Sequence, residues 1–261
     1  MRNLAGRPQV APGVLSPPRM DPITAIAASG LRARMESLDL LANNIANAGT
    51  GGYKADREFN SLYMAPEAEG LDNTSAMPLI ERPWVDHAQG TLQSTGNPTD
   101  IALSGKGFFA VNGPSGPLYT RNGSFRVSAD GTLTTAEGYP VRTAQGGPLT
   151  LQPLRPVEIS RDGTITQDGI TTGKLEIVDF TSTAGIAKQG SNYFRVTDAS
   201  ARPVPATGTS VEQGHLEASN TGAAEAAVRL VSVMRQFEML QKAVSLGSEM
   251  NKRAIEEVAR V

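Results

Sequence analysis

Apolar residues return in alternating steps of three and four near both ends of this chain, and scarcely anywhere between. From Ala28 the series runs through Leu31, Met35, Leu38, Ala42 and Ile45, with Arg32, Arg34, Glu36 and Asp39 off the line. At the other end it runs Ala226, Leu230, Val233, Phe237, Leu240, Val244, Gly247, Asn251, Ala254 and Val258. Such spacing puts every apolar side chain on one stripe of an α-helix, the seam along which another helix packs. A chain with one seam at each end must bring its ends together, lend both seams to other chains, or do both.

Local signals bound the two helices. Asp21 stands as an N-cap acceptor, and Pro22 takes the first helical position, where a missing amide proton costs nothing. The first helix should stop in Asn43-Asn44-Ile45-Ala46-Asn47 and the glycines Gly49, Gly51 and Gly52, which tolerate left-handed backbone. Ser219, Asn220 and Thr221 are cap candidates for the second helix, with Glu225 near its positive dipole end. Four pairs lie off its seam at i,i+4 spacing: Glu225/Arg229, Glu238/Lys242, Glu249/Arg253 and Glu256/Arg260. Each is worth roughly 0.2–0.5 kcal/mol if formed.

Between the helices the period falls to two. Short runs such as IALSGKGFFAV, PLYTRNGSFRV, GKLEIVDF and SNYFRVTD are rich in β-branched and aromatic residues. Asn122-Gly123, Asp130-Gly131, Asp162-Gly163 and Asp168-Gly169 punctuate them as tight hairpin turns. Asp130-Gly131-Thr132-Leu133-Thr134 is echoed by Asp162-Gly163-Thr164-Ile165-Thr166, a repeat of hairpin chemistry rather than a solenoid. The expected class is α+β: a discontinuous helical coiled-coil domain made from both ends, and a central all-β domain. The boundaries read as a disordered Pro- and Arg-rich extension over 1–20, an N-terminal helix over 21–50 and a linker over 51–79. The β-domain follows over 80–217 and the C-terminal helix over 218–261. Met20, directly before the cap, is a candidate start beside Met1.

Chemistry is harder to place. A net charge of -2 and a pI near 5.8 give no electrostatic case for nucleic acid or an anionic membrane. Cysteine is absent, no apolar run approaches the ~20 residues of a membrane span, and no Sec-type leader precedes the first helix. Gly105-Lys106-Gly107 fails the phosphate-loop pattern, with Asp100 in the place of the first glycine and Gly107 in that of the Ser/Thr. His87 and His215 are far apart in sequence, and Asp130, Asp162 and Asp168 lack calcium-loop spacing. No nucleophile-base or paired-acid arrangement stands out, so no catalytic residue, cofactor or metal site is assigned.

Several blocks do resemble a known family. Ala42-Asn43-Asn44-Ile45-Ala46-Asn47, with Thr50, Gly52, Tyr53 and Lys54, is similar to the N-terminal signature of the axial proteins of the bacterial flagellum, the rod and hook group. Gln89-Gly90-Thr91-Leu92, Thr95-Gly96-Asn97-Pro98 and Gly105-x-Gly107-Phe108-Phe109 resemble its central block. Tyr119-Thr120-Arg121-Asn122-Gly123-Ser124-Phe125 and Gly138-Tyr139-Pro140-Val141 continue it. Gln213-Gly214-x-Leu216-Glu217-x-Ser219-Asn220 leads into the last helix in the same way. Gly49 and Gly51 depart from it, since the family tends to carry polar residues there. The length and the lack of a large insert fit the two longer rod proteins, proximal and distal, better than the hook.

The resemblance implies a structural subunit of the basal-body rod that serves motility. It implies paired terminal helices lining a filament core, an outward β-domain, and partners among copies of itself and other rod and hook subunits. It also implies export through the flagellar type III apparatus without a cleaved signal, into the periplasmic rod. The assembly surface so expected comprises Leu31, Met35, Leu38, Ala42, Asn43, Asn44, Ile45 and Asn47 on the first helix. On the second it comprises Leu230, Val233, Phe237, Leu240 and Val244. A hook-type axial protein and a secreted coiled-coil adhesin are the alternatives.

Overall fold

The computed structural model describes residues 22–58, 60–64, 76–80, 83–153, 155–190 and 192–258. The N-terminal extension and the Asp21 cap lie outside them. Helix α1 spans Pro22–Ala46 and helix α2 spans Ala223–Val258. At 1.5 Å per residue their 25 and 36 residues make rods of about 38 and 54 Å. α1 runs into the β-region and α2 runs out of it, and the two lie side by side. A groove between them is lined by Leu40, Leu41 and Asn44 on one side and Ala226 and Arg229 on the other.

Everything between is antiparallel. The largest sheet has six strands, in the order Ile186–Gln189, Tyr193–Val196, Gly116–Thr120, Phe108–Gly113, Ile177–Phe180 and Pro203–Pro205. Its central strand, Phe108–Gly113, is buried on both faces, which is why it reads as an unbroken apolar run. Phe108 and Ala110 pack with Tyr119, Val178, Phe180, Ile186 and Phe194. Phe109 and Val111 point the other way, into a larger core with Ile101, Leu103, Phe125, Leu133, Val141, Ile165 and Val211. That second core is closed by small two- and three-stranded sheets carried on the hairpins.

Three of the four Asn-Gly and Asp-Gly sites are hairpin turns. Asp168 and Gly169 both have positive φ, 50° and 77°, and join Thr164–Gln167 to Ile170–Lys174 in a two-residue loop. The two echoed segments form the same turn. In each, the serine amide (Ser128 or Ser160) donates to the threonine carbonyl (Thr132 or Thr164) at 2.9 Å, and the glycine amide donates back to the serine at 2.9 Å. Asn122-Gly123 is not a hairpin turn. Gly123 is buried where the chain crosses the strand Ile101–Ser104, and a Cβ there would lie 1.6 Å from the Ile101 carbonyl oxygen. Space, not φ, requires glycine at that point.

The stretch 51–79, read as a linker, carries short strands, Asp56–Arg57 paired with Trp84–Val85 and Asn60–Met64 paired with Ala76–Ile80. One further reading is corrected. On α2, Glu225/Arg229, Glu238/Lys242 and Glu249/Arg253 form no ion pair within 4 Å among the described residues, and Arg260 of the fourth pair lies outside them. Long exposed side chains lose more rotamer freedom than such pairs return.

Phe109 is fully buried against an edge-on Phe125, ring centroids 5.3 Å apart. Phe109→Ala should therefore cost about 3–5 kcal/mol, read as a lowered urea midpoint. A loss under about 1 kcal/mol would place the core elsewhere.

Candidate functional site

Three segments remote in sequence meet where the helices join the β-region. Glu217, at the end of the strand His215–Glu217, is fully buried and sits between two cations. Its Oε1 is 2.5 Å from Lys54 Nζ and accepts the Gly90 amide at 2.9 Å. Its Oε2 lies 3.3 Å from Arg121 Nε. Lys54 Nζ also donates to the Ala88 carbonyl at 2.7 Å, and Arg121 Nη2 donates to the Gly105 carbonyl at 2.5 Å. Burial pulls the Lys54 and Arg121 pKa values down, and the Glu217 carboxylate opposes that in both. Two buried cations share one buried anion, so the carboxylate cannot be removed without leaving both uncompensated.

Around this cluster the helix ends are fastened by amide side chains. The Tyr53 hydroxyl reaches Asn43 Oδ1 and Asn44 Oδ1, both at 3.0 Å. Asn44 makes a two-way pair with the Asp56 backbone, donating to its carbonyl at 2.8 Å and accepting its amide at 2.9 Å. Asn220, just before α2, accepts the Ala55 amide at 2.7 Å and donates to the Asp86 carbonyl at 2.7 Å. Lys188 lies over the Tyr53 ring at 4.2 Å and pairs with Asp56 at 2.7 Å. Gly52, at φ 68°, passes so close to Arg121 and Asn122 that a Cβ would meet their backbone at 2.3–2.4 Å. At Gly52 the turn is held on both sides, its amide also donating to the Glu217 carbonyl at 2.7 Å, while Gly49 lies in open space.

His87 abuts the cluster, its ring against Phe108 and Phe194. Its pKa is pushed down to about 4 by burial, then by the Lys54 charge. His215 stands apart, its Nδ1 2.9 Å from the Gln213 carbonyl. No group of three His, Asp or Glu able to hold a metal occurs among the described residues, and no described helix is long and apolar enough to cross a membrane.

The helix faces divide unevenly. On α2 the seam turns inward: Ala226 and Val233 are buried, and Leu230, Phe237, Leu240 and Val244 are half-buried. On α1 the buried line is Gly30, Ala33, Ser37 and Asn44, with Ser37 bonded to Glu58. The apolar line faces away from it: Met35 is 54% exposed, Ala42 is exposed, and Leu31, Leu38 and Ile45 are half-buried. Asn43 and Asn47 are tied to each other, Asn47 Nδ2 donating to the Asn43 carbonyl at 2.9 Å. Asn44 is inside the chain.

Sequence reasoning missed two sets of residues. One is the Lys54–Glu217–Arg121 cluster, quoted within the motifs but given no charge role. The other is a second apolar stripe on α2, Val228, Val231, Met239, Leu246 and Met250, all exposed. Its signal was present: Val228, Met239 and Met250 recur every eleven residues, three full turns.

A β-body thus grips two helices that carry exposed apolar side chains. Three family models and several relatives match this chain. One family model, described as flagella basal body rod protein, matches residues 25–54. A second, flagellar hook protein FlgE/F/G D1 domain, matches 102–169, and a third, flagellar basal body rod FlgEFG protein C-terminal, matches 212–257. The flagellar basal-body rod protein FlgF of Caulobacter vibrioides is 33% identical over 245 residues, 93% of this chain and 100% of that one. FlgG of Agrobacterium fabrum is 35% identical over 253 residues, 87% of this chain and 95% of its own. FlgG of Bacillus subtilis is 30% identical over 248 residues, 85% and 93%. The chain belongs to the family of flagellar basal-body rod proteins, structural subunits of the flagellar basal body that assemble with other rod and hook subunits. The hook-type and adhesin alternatives draw no support from these relatives.

Two outcomes follow for the joint. Glu217→Gln should destabilise the chain by about 3–5 kcal/mol in denaturant unfolding, because two buried cations lose their anion; a change below 1 kcal/mol would show that the cluster is not held dry. For His87 the folded pKa lies below the unfolded 6.5, so the unfolded chain binds more protons between pH 6.5 and 4. Its share of stability is whole above pH 6.5 and drains as pH falls toward 4. His87→Phe, which keeps the ring contacts, should flatten the unfolding midpoint against pH in that window; an unchanged slope would refute it.

Proposed function

We propose that this rod subunit polymerises through its terminal helices, paired as a coiled coil around the core of the rod, with the β-domain outward. In this reading it acts in the periplasmic part of the rod and arrives through the flagellar type III apparatus without a cleaved signal. The domain boundaries are those expected from sequence, with the strands after Lys54 bracing the helices.

One observation carries the reading. Seven of the ten large apolar side chains exposed among the described residues sit on the two helices: Met35, Val228, Val231, Met234, Met239, Leu246 and Met250. Among the described residues the β-region contributes the other three, Trp84, Ile170 and Val204. An isolated helix pair gains nothing from apolar residues on its solvent side, whereas a helix packed among neighbours buries them.

Met239 separates assembly from folding, since at 62% exposure a charge there is solvated in the lone chain. Met239→Asp should leave the thermal midpoint of the purified chain unchanged and drop out of purified basal bodies. Glu238→Ala should incorporate normally. Normal incorporation of Met239→Asp would mean that this side of α2 is not an assembly surface.

A further inference from the structure

A cleft of about 490 Å³ opens on the β-side of the joint, between the Gly105-Lys106-Gly107 turn, His87 and the end of the strand Ile177–Phe180. Phe108, Phe180 and Arg121 are buried inside it, and Lys106 is exposed at its rim. Clefts of this volume hold small organic ligands.

Its polar groups are not all engaged. The Arg121 guanidinium, 3% exposed, faces the Glu217 carboxylate with Nε and donates to the Gly105 carbonyl with Nη2. Its Nη1 is buried with no hydrogen-bond partner among the described residues, and so is His87 Nδ1. Glu217 Oε2 also lacks a hydrogen bond but already meets the Arg121 charge. A buried, charged donor is costly to leave without an acceptor, and a carboxylate suits a guanidinium well.

Charge narrows the ligand. In and beneath the cleft three cations, Lys54, Arg121 and Lys106, face two anions, Glu217 and Asp179. The flanking charges cancel, since Asp86 is paired with Arg57 and Lys188 with Asp56, both at 2.7 Å. His87 is neutral near physiological pH, its pKa pushed down to about 4 by burial and then by Lys54. One positive charge is therefore in surplus, beside the rings of Phe108 and Phe180, which lie 5.5 Å apart. A monoanion neutralises that surplus, whereas a dianion exceeds it and meets the charge of Asp179.

We propose that this cleft binds a carboxylate monoanion with an apolar body, the carboxylate accepting from Arg121 Nη1 and the body lying against Phe108 and Phe180. His87, in the tautomer protonated on Nδ1, supplies a second donor beside it. The site belongs to the single chain and does not depend on how copies assemble.

Benzoate is the probe. Titrated calorimetrically into the purified chain, it should bind at one site with a Kd at or below about 1 mM, the strength its few atoms allow. Lys106→Glu reverses a charge on the exposed rim and should weaken binding about tenfold without moving the thermal midpoint of the chain alone. His87→Phe keeps the ring contacts and should also weaken it, and inorganic phosphate should bind less tightly than benzoate. No saturable benzoate binding, or equal binding by Lys106→Glu or by phosphate, would overturn the site. Two sources of the carboxylate are then told apart in basal bodies treated with a photoreactive benzoate or with a carbodiimide, which joins Lys106 to a carboxylate touching it. Photolabelling of the cleft assigns it to a free solute. A carbodiimide adduct to a neighbouring chain, lost in Lys106→Ala, assigns it to that neighbour's acidic side chain. Neither product in incorporated chains would count against a carboxylate site in the rod.

Discussion

The structure depends on a carboxylate that has no access to water. Glu217 stands at the meeting point of a turn after α1, the strand before α2 and the loops of the β-region, and it neutralises a cation from two of them. Such an arrangement does little for net stability, because the desolvation of three charges consumes most of their attraction. Its effect is on geometry. Lys54 and Glu217 are held by direct bonds to each other and to the Ala88 carbonyl and the Gly90 amide, while Glu217 Oε2 meets Arg121 only as a charge, so the pair ties the helix ends to the β-body at a defined place. The amides of Asn44 and Asn220 then lock the residues on either side.

This division of labour explains why the chain can carry bare apolar faces on its helices. The two β cores bury nearly all of their aromatic residues and leave few large apolar side chains exposed. The helices are not. α1 buries Gly30 and Ala33, lines the groove toward α2 with Leu40 and Leu41, and leaves Met35 exposed. In the polymer proposed above, neighbours complete the burial of such side chains.

The helices and the β character of the middle were legible because hydrophobic period is a local property. The inward seam of α2 followed from the same property, as Val233 and Ala226 show. On α1 the period misdirects: its fully buried positions are Gly30, Ala33, Ser37 and Asn44, which carry little hydrophobic signal, and the leucines that line the groove toward α2, Leu40 and Leu41, lie off the alternating line. Asn122-Gly123 looked like a turn because the dipeptide is the same, while the demand on Gly123 comes from a strand twenty residues earlier in the chain. Nothing in the spacing of Lys54, Arg121 and Glu217 marks them as neighbours. Long-range pairing of charges is a product of topology, and topology is what a period cannot report.

The contact between Lys54 and Glu217 closes a loop of 163 residues. Closing so long a loop carries a large chain-entropy cost that local contacts cannot defray, and contacts of this range slow folding. Arg121 brings the β-region into the same cluster, so the joint draws together three parts of the chain remote in sequence. In the polymerisation proposed above, the direction of α1, and with it the surface that the helices offer, is therefore set by a contact that spans most of the chain.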